Sequence, residues 1–362
     1  MNNSEPISSI PGIGPKKQKL LAEAGYSTIG DLTSADFYEV MKVPGMGLKS
    51  TCSAFSYIGR ALVYTSMKEI DAKIDEYVMI EDKKIFPWED YKSLEKSTLQ
   101  PADFKLEKTT VWSFPERGDW ATHTSHYRGN WSPRVVRNVI ERYSKPGDLI
   151  LDPMVGGGTT AIEALLTGRN SVSMDINPGS IAITKNRLSM PADILSTLPE
   201  TNHRLYLGDV RNLDKISDES IDLIVTHPPY VNIIRYTQCV DGDLSQISDY
   251  GLFFKEFMKA ISEFYRVLKP GKYCAILIGD THNKGHFVPI SSRVMMDFLK
   301  VGFLLKEDII KKEWNCESDR NLKKYSNSDF LLTMHEHLFI FRKPRLEEKK
   351  SYKNSSVDFF ED

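Results

Sequence analysis

The feature that most constrains this chain is an alternation of short apolar runs with longer amphipathic segments through its last two thirds. Residues 148–152, 171–175, 205–207, 221–225 and 273–278 read as strands. Residues 159–167, 181–188, 253–268 and 291–301 read as helices, the first closed by Gly168. LLKEDIIKKEW and HEHLFIFRK complete the set as an antiparallel pair. Strands joined through crossover helices imply an α/β fold with a doubly wound, mostly parallel sheet. Ligands of such sheets bind at the carboxyl ends of the strands, so the residues at those ends carry the functional information.

The first strand runs into Asp152-Pro153-Met154-Val155-Gly156-Gly157-Gly158-Thr159-Thr160 and then a helix. Three glycines let the backbone pass close to a ligand, and Thr159 or Thr160 can cap a helix N-terminus that favours negative charge. No lysine follows, so the turn is not a phosphate-cradling P-loop. Asp175 ends the second strand, where a carboxylate accepts hydrogen bonds from ribose hydroxyls. Asp209 follows the third strand in Leu207-Gly208-Asp209-Val210 and is placed to meet an adenine amino group. The plainer reading makes both acids helix caps or loop residues.

The fourth strand ends in Thr226-His227-Pro228-Pro229-Tyr230. Adjacent prolines stiffen the backbone and hold carbonyl acceptors rigidly, while Tyr230 offers a face for stacking. That combination suits an exocyclic amine on a base, whose lone pair is delocalised into the ring. Fixed acceptors for its N–H groups favour a tetrahedral nitrogen able to attack a methyl group in line. A simple Pro-Pro turn is the alternative.

These residues together resemble the amino-methyltransferases of DNA, the N4-cytosine and N6-adenine family. Asp152 to Thr160 resembles its D-P-F-x-G-x-G-T-T signature, and His227 to Tyr230 its [D/N/S]-P-P-Y signature. Arg266-Val-Leu-Lys-Pro270-Gly271 resembles a helix-to-strand turn widespread in methyltransferases of this fold. The resemblance implies a class I, Rossmann-like methyltransferase that uses S-adenosyl-L-methionine. It assigns Asp152, Pro153, Gly156, Gly158, Thr159, Asp175 and Asp209 to the cofactor and His227, Pro228, Pro229 and Tyr230 to catalysis. An upstream segment closes over the methionine end in the family, which carries that role to Asn130, Trp131 and Ser132. His227 departs from the family, which has Asp, Asn or Ser there. The Thr-x-Pro-Pro-Tyr context is closer to the cytosine branch, which makes cytosine N4 the expected target and adenine N6 the alternative.

Residues 1–66 hold a weak repeat. Ile10-Pro11-Gly12-Ile13-Gly14 and Val43-Pro44-Gly45-Met46-Gly47 each precede a helical segment, with Leu20, Leu21, Phe55, Ile58 and Leu62 on buried faces. Ser34 is expected to cap a helix that begins at Ala35 and Asp36. The pair resembles the all-α double helix-hairpin-helix domain of DNA repair proteins, which implies phosphate contact through Gly12, Gly14, Gly45 and Gly47 with Lys16, Lys17 and Lys49 nearby. A packing or protein-binding module is the alternative. Residues 67–104 read as a charged, partly helical linker, 105–345 as the methyltransferase domain and 346–362 as a polar, disordered tail.

Composition excludes other classes. Cys52, Cys239, Cys274 and Cys316 form no CxxC pair, which argues against a zinc site or disulfide framework. His123 with His126 and His282 with His286 sit among glycines and prolines, so no metal is expected. No apolar run reaches the ~18 residues of a membrane span, and the N-terminus lacks a signal pattern, so a cytoplasmic protein is expected. The expected partners are double-stranded DNA and a cognate restriction endonuclease. Sequence reading is left to the 231–250 and 281–289 loops and to the 316–327 insertion with Arg320, Lys323 and Lys324. Competing readings are an RNA guanine-N2 or protein-glutamine methyltransferase and a DNA-binding protein with a degenerate methyltransferase fold.

Overall fold

The structure is a computed structural model that describes residues 4–35, 37–47, 50–51, 54, 62–64, 78–80, 83–85, 94–231, 233–234, 236, 242–314 and 329–348. At the N-terminus, helices α1 (Pro15–Glu23), α2 (Ile29–Ser34) and α3 (Phe37–Lys42) pack around Ile10, Leu21, Leu32 and Val40. The repeat is visible in its turns. Ile13 N–H donates to the Ile10 carbonyl across Gly12 at φ 83°, and Met46 N–H donates to the Val43 carbonyl across Gly45 at φ 84°. Such φ values favour glycine strongly.

Two expectations fail here. Ser34 is the last residue of α2, the helix that Thr28 caps through a capping box with Asp31, and α3 begins only at Phe37. Leu62 opens strand β1 (Leu62–Tyr64) instead of ending a helix, and β1 pairs antiparallel with Leu205–Leu207. Phe55 and Ile58 lie outside the described residues. Where it is described, the linker holds a short 3-10 helix at Lys96–Thr98 and two short strands. Strands β2 (Val78–Ile80) and β3 (Lys83–Ile85) form an antiparallel pair that sets Val78 opposite Ile85.

The remaining strands are β4 (Val111–Ser113), β5 (Leu149–Asp152), β6 (Asn170–Asp175), β7 (His203–Leu207), β8 (Ile221–Thr226), β9 (Leu268–Gly279), β10 (Thr281–Asn283), β11 (His286–Val288), β12 (Leu304–Lys312) and β13 (His335–Arg342). Nine strands form one sheet in the order β1-β7-β6-β5-β8-β9-β13-β12-β4. It is mostly parallel, with β13 reversed between β9 and β12 and β1 reversed at the edge. The chain moves from β5 outward to β7, returns to β8 and proceeds the other way. The crevice between β5 and β8 is therefore the switch point where such folds bind ligands.

Helices α4 (Pro133–Tyr143), α5 (Thr159–Leu166), α6 (Pro178–Leu188), α7 (Ala192–Leu195), α8 (Tyr250–Val267) and α9 (Ile290–Val301) flank the sheet. Helix α8 shows why sequence dictates packing. Asp249 caps it by accepting from Leu252 N–H at 2.7 Å, and Phe253, Phe257 and Phe264 recur on one face. All three are buried with Cys274 and Ile276 of β9, and each contributes about 1.5–3 kcal/mol. Cys274 is a buried free thiol, while Cys52, Cys239 and Cys316 lie outside the described residues. Among the described residues no helix is long and apolar enough to cross a membrane.

Candidate active site at the carboxyl edge of the sheet

The glycine turn after β5 lies where the fold needs it. Gly156 has φ 52° and Gly158 has φ 85°, and a Cβ on Gly158 would lie 3.0 Å from Thr184 Oγ1 and 3.2 Å from its Cα. Side chains are thus kept out of the loop, and α5 starts directly behind it without a side-chain cap. The loop borders a concave, half-enclosed cavity at the carboxyl edge of the sheet. Pro153 to Gly157 form one wall, and Asp175, Ile176, Asn177, Asp209 and Val210 another. Tyr127, Asn130 and Trp131 come from the upstream segment, and His227 and Pro229 from the loop after β8. Tyr127 stacks on Tyr236 with ring centroids 6.1 Å apart.

Asp175 accepts Gly156 N–H and Asn177 N–H, each at 2.9 Å. Burial raises its carboxyl to about 7 against those two bonds, helped by the charges of Asp243 and Asp152. Asp209 faces the same cavity while Arg211 grips it through Nε at 2.9 and 3.0 Å. Asp243 is a third acid in the lining, and no Lys or Arg lines the cavity among the described residues. Three acids, one of them paired with Arg211, and no basic lining residue suit a ligand rich in O–H and N–H donors. That donor set fits S-adenosylmethionine, a sulfonium and ammonium nucleoside, better than a phosphorylated dinucleotide.

Four residues expected at the cofactor lie behind this wall. Asp152 is buried beneath the loop, accepts Met154 N–H at 3.2 Å and the Thr226 hydroxyl at 3.1 Å, and is raised to about 6 by burial. Gly158 starts α5, and Thr159 gives its hydroxyl to the Asn130 side-chain carbonyl. Ser132 caps α4 by accepting Arg134 N–H and donates to the Arg117 carbonyl. These groups shape the wall.

The loop after β8 separates the cavity from a second, more open groove. Pro229 faces the cavity, Pro228 and Tyr230 face the groove, and His227 lines both. Tyr230 is pinned at both ends. Its ring packs so closely on Gly279 that a Cβ there would lie 2.7 Å from Tyr230 Cε2. Its hydroxyl lies 2.5 Å from His227 Nε2 and donates to Glu336 Oε1. Glu336 also takes the Lys311 ammonium at 3.0 Å on Oε2. Burial pushes Glu336 up, but Lys311 and hydrogen bonds from Glu313 and Tyr230 hold it well below the usual carboxylate range. Burial, then the Glu336 charge, lifts Glu313 to about 8. His227 is pushed down to about 4 by burial, so it is neutral near pH 7.

A family model described as DNA methylase matches residues 55–186 and 221–359, most of the chain. The chain belongs to that family. A SAM-like helix-hairpin-helix tandem model matches residues 4–51, ahead of that match. The type II methyltransferase M.MjaI of Methanocaldococcus jannaschii is 30% identical over 174 residues, covering 40% of this chain and 56% of that protein. The DNA adenine methyltransferase YhdJ of Escherichia coli is 24% identical over 129 residues, covering 36% of this chain and 44% of that protein. The chain thus spans about half the length of these relatives. A solved SAM-dependent methyltransferase from Methanosarcina mazei aligns with 57% of this chain and 97% of its own, at 17% identity and a TM-score of 0.41.

At the N-terminus Gly12, Gly14, Gly45 and Gly47 are exposed, as is Lys16. Lys17 instead turns inward to the Ser50 hydroxyl at 2.5 Å and the Gly12 carbonyl at 3.3 Å, stitching the two repeats together. Lys49 and the 316–327 insertion lie outside the described residues, while the 281–289 loop contains the β10–β11 hairpin. His123 bonds the buried Glu163 at 2.7 Å. Among the described residues no group of three His, Cys, Asp or Glu could hold a metal. Sequence reasoning missed Tyr127, Tyr236, Asp243, Lys311, Glu313 and Glu336. The available signal was Glu336 just ahead of the apolar run Leu338–Phe341; Lys311 had none, because its strand alternates apolar and charged residues.

Proposed function

We propose that this protein methylates an exocyclic amino group of a base in double-stranded DNA, with cytosine N4 as the target and adenine N6 as the alternative. The observation that carries the reading is the position of His227, which lines both the acidic cavity and the open groove. A neutral acceptor there stands between a cationic donor and a base entering from the other side. S-adenosylmethionine, when bound, supplies an electrophilic methyl group on a sulfonium. Asp175 would take its ribose hydroxyls, Asp209 its adenine amino group, and Asn130, Trp131 and Tyr127 would close the opposite side.

The target base must leave the duplex to reach this edge, at a cost of a few kcal/mol. Tyr230, held flat on Gly279, offers it a rigid face, and stacking of this kind is worth roughly 1–3 kcal/mol. Pro228 and Pro229 hold the loop carbonyls where the amine N–H groups can donate to them. His227 accepts as well. The N-terminal tandem would hold phosphates through its exposed glycine turns without reading bases. Service beside a restriction endonuclease in the cytoplasm is part of the same proposal.

The test is incubation with labelled S-adenosylmethionine and duplex DNA, single-stranded DNA or RNA, followed by digestion to nucleosides. N4-methylcytosine or N6-methyladenine from duplex DNA is the expected product, and the ratio of the two decides the base. Label recovered in RNA guanine or in protein would overturn the reading.

A further inference from the structure

One rung of the sheet links the catalytic loop to two charged strands. Glu336 of β13 stands opposite Gly279 of β9 on one side and opposite Lys311 of β12 on the other. The missing Cβ at Gly279 leaves room for the Tyr230 ring, whose hydroxyl then reaches Glu336. Glu336, ion-paired with Lys311, can only accept. The single Tyr230 proton is therefore committed to it. The Tyr230 oxygen can then only accept from His227 Nε2, 2.5 Å away, so that nitrogen must carry a proton. The His227 Nδ1 is left with its lone pair, and it has no hydrogen-bond partner among the described residues.

We propose that Glu336 and the Tyr230 hydroxyl are positioning groups that hold His227 in its Nε2–H tautomer, so that Nδ1 accepts from the target amine and Glu336 carries the released proton away. The inference rests on the reading that the groove receives an amine. Its balance is simple. The methylated nitrogen loses one proton to Nδ1 as the Nε2 proton passes to Tyr230 and the Tyr230 proton to Glu336. The products are a neutral methylated amine, a neutral imidazole with the proton on Nδ1, an unchanged tyrosine and a protonated Glu336. Glu336 lines the open groove, where it can release the proton to water. Glu336 and Lys311 are the charged groups acting on His227, with Glu313 beyond them.

The tautomer can be read without cofactor or DNA by long-range 15N–1H correlation on the full chain with labelled histidine. The parental protein is expected to show His227 protonated on Nε2. Tyr230→Phe, which keeps the ring, should lose that preference. Glu336→Gln should keep it, because the amide oxygen still accepts from Tyr230, yet it has no anion to take the proton. In single-turnover methylation both variants should be slower by roughly a hundredfold, the lower end for general acid–base assistance. Cofactor Kd should be unchanged, which a folding defect would not spare. A parental His227 protonated on Nδ1 would overturn the assignment. So would Tyr230→Phe with the parental rate and pH profile. If the parental protein methylates no amine in DNA, the proposed function falls, while the ligand-free tautomer still decides whether Glu336 and Tyr230 position His227.

Discussion

Thr226 donates its hydroxyl to Asp152 at 3.1 Å, tying the end of β8 to the end of β5. Both residues are buried, and the bond joins the loop that would hold the cofactor to the loop that would hold the base. Thr226→Val keeps the shape and removes the donor. A loss of about 1–3 kcal/mol is expected, the usual cost of leaving a buried acceptor short of a partner. Urea denaturation measures it, and an unchanged midpoint would show that the tie contributes nothing.

The acids of the site set the pH dependence. Asp152 and Asp175 have carboxyls raised to about 6 and about 7 from 3.8. The folded protein therefore binds more protons than the unfolded chain between those limits, and these two groups make stability fall as pH rises through that window. Cofactor affinity should run the other way. Ribose hydroxyls prefer the ionised Asp175, so binding should strengthen as pH rises through about 7. Calorimetric titration of Asp175→Asn should show weaker binding with that pH dependence flattened. A parental dependence in the variant would remove Asp175 from the ribose site.

Gly279→Ala tests the floor under Tyr230. Its Cβ would lie 2.7 Å from Tyr230 Cε2, and relief of such overpacking costs about 1–3 kcal/mol. Tyr230 must shift away from Glu336, so methylation should fall while cofactor Kd holds. Full activity in the variant would mean that the ring has slack.

Lys16 is exposed beside the first glycine turn. If the tandem grips phosphates, Lys16→Ala should weaken DNA binding on all sequences alike and lower the log–log salt slope by about one. Lys17→Ala should act differently, by loosening the repeat through its lost bond to Ser50. An identical salt slope for Lys16→Ala and the parent would favour a packing role for the tandem.

The sheet was legible in the sequence because each core strand is a compact apolar run and each crossover helix is periodic. The motif residues at the ends of β5, β6 and β8 were legible for the same reason, since a fold of this class leaves only those ends open. Tyr236 and Asp243 were not, because they reach the cavity from a loop without periodicity. Glu336 was hidden differently. Its neighbours in sequence say only that it lies in a strand, and its meaning comes from standing between Gly279 and Lys311, which are 57 and 25 residues away. The β1 edge strand was misjudged because Leu62-Val-Tyr64 also fits the apolar face of a helix.

The reversal of β13 has a consequence for how such a protein can change. A parallel strand delivers its last residues to the crevice, whereas a reversed one delivers its first. Glu336 arrives at the start of β13, beside the end of β12, so the chain from Glu313 to Met334 leaves and re-enters the sheet at the rim of the open groove. Glu313, Phe330, Leu332 and Thr333 of that stretch line the groove. Insertions or exchanges there would reshape the rim without shifting the pairing of a single strand. Exchanges at these rim residues therefore change the shape of the groove, while the rung of Gly279, Glu336 and Lys311 stays fixed by the register of the sheet.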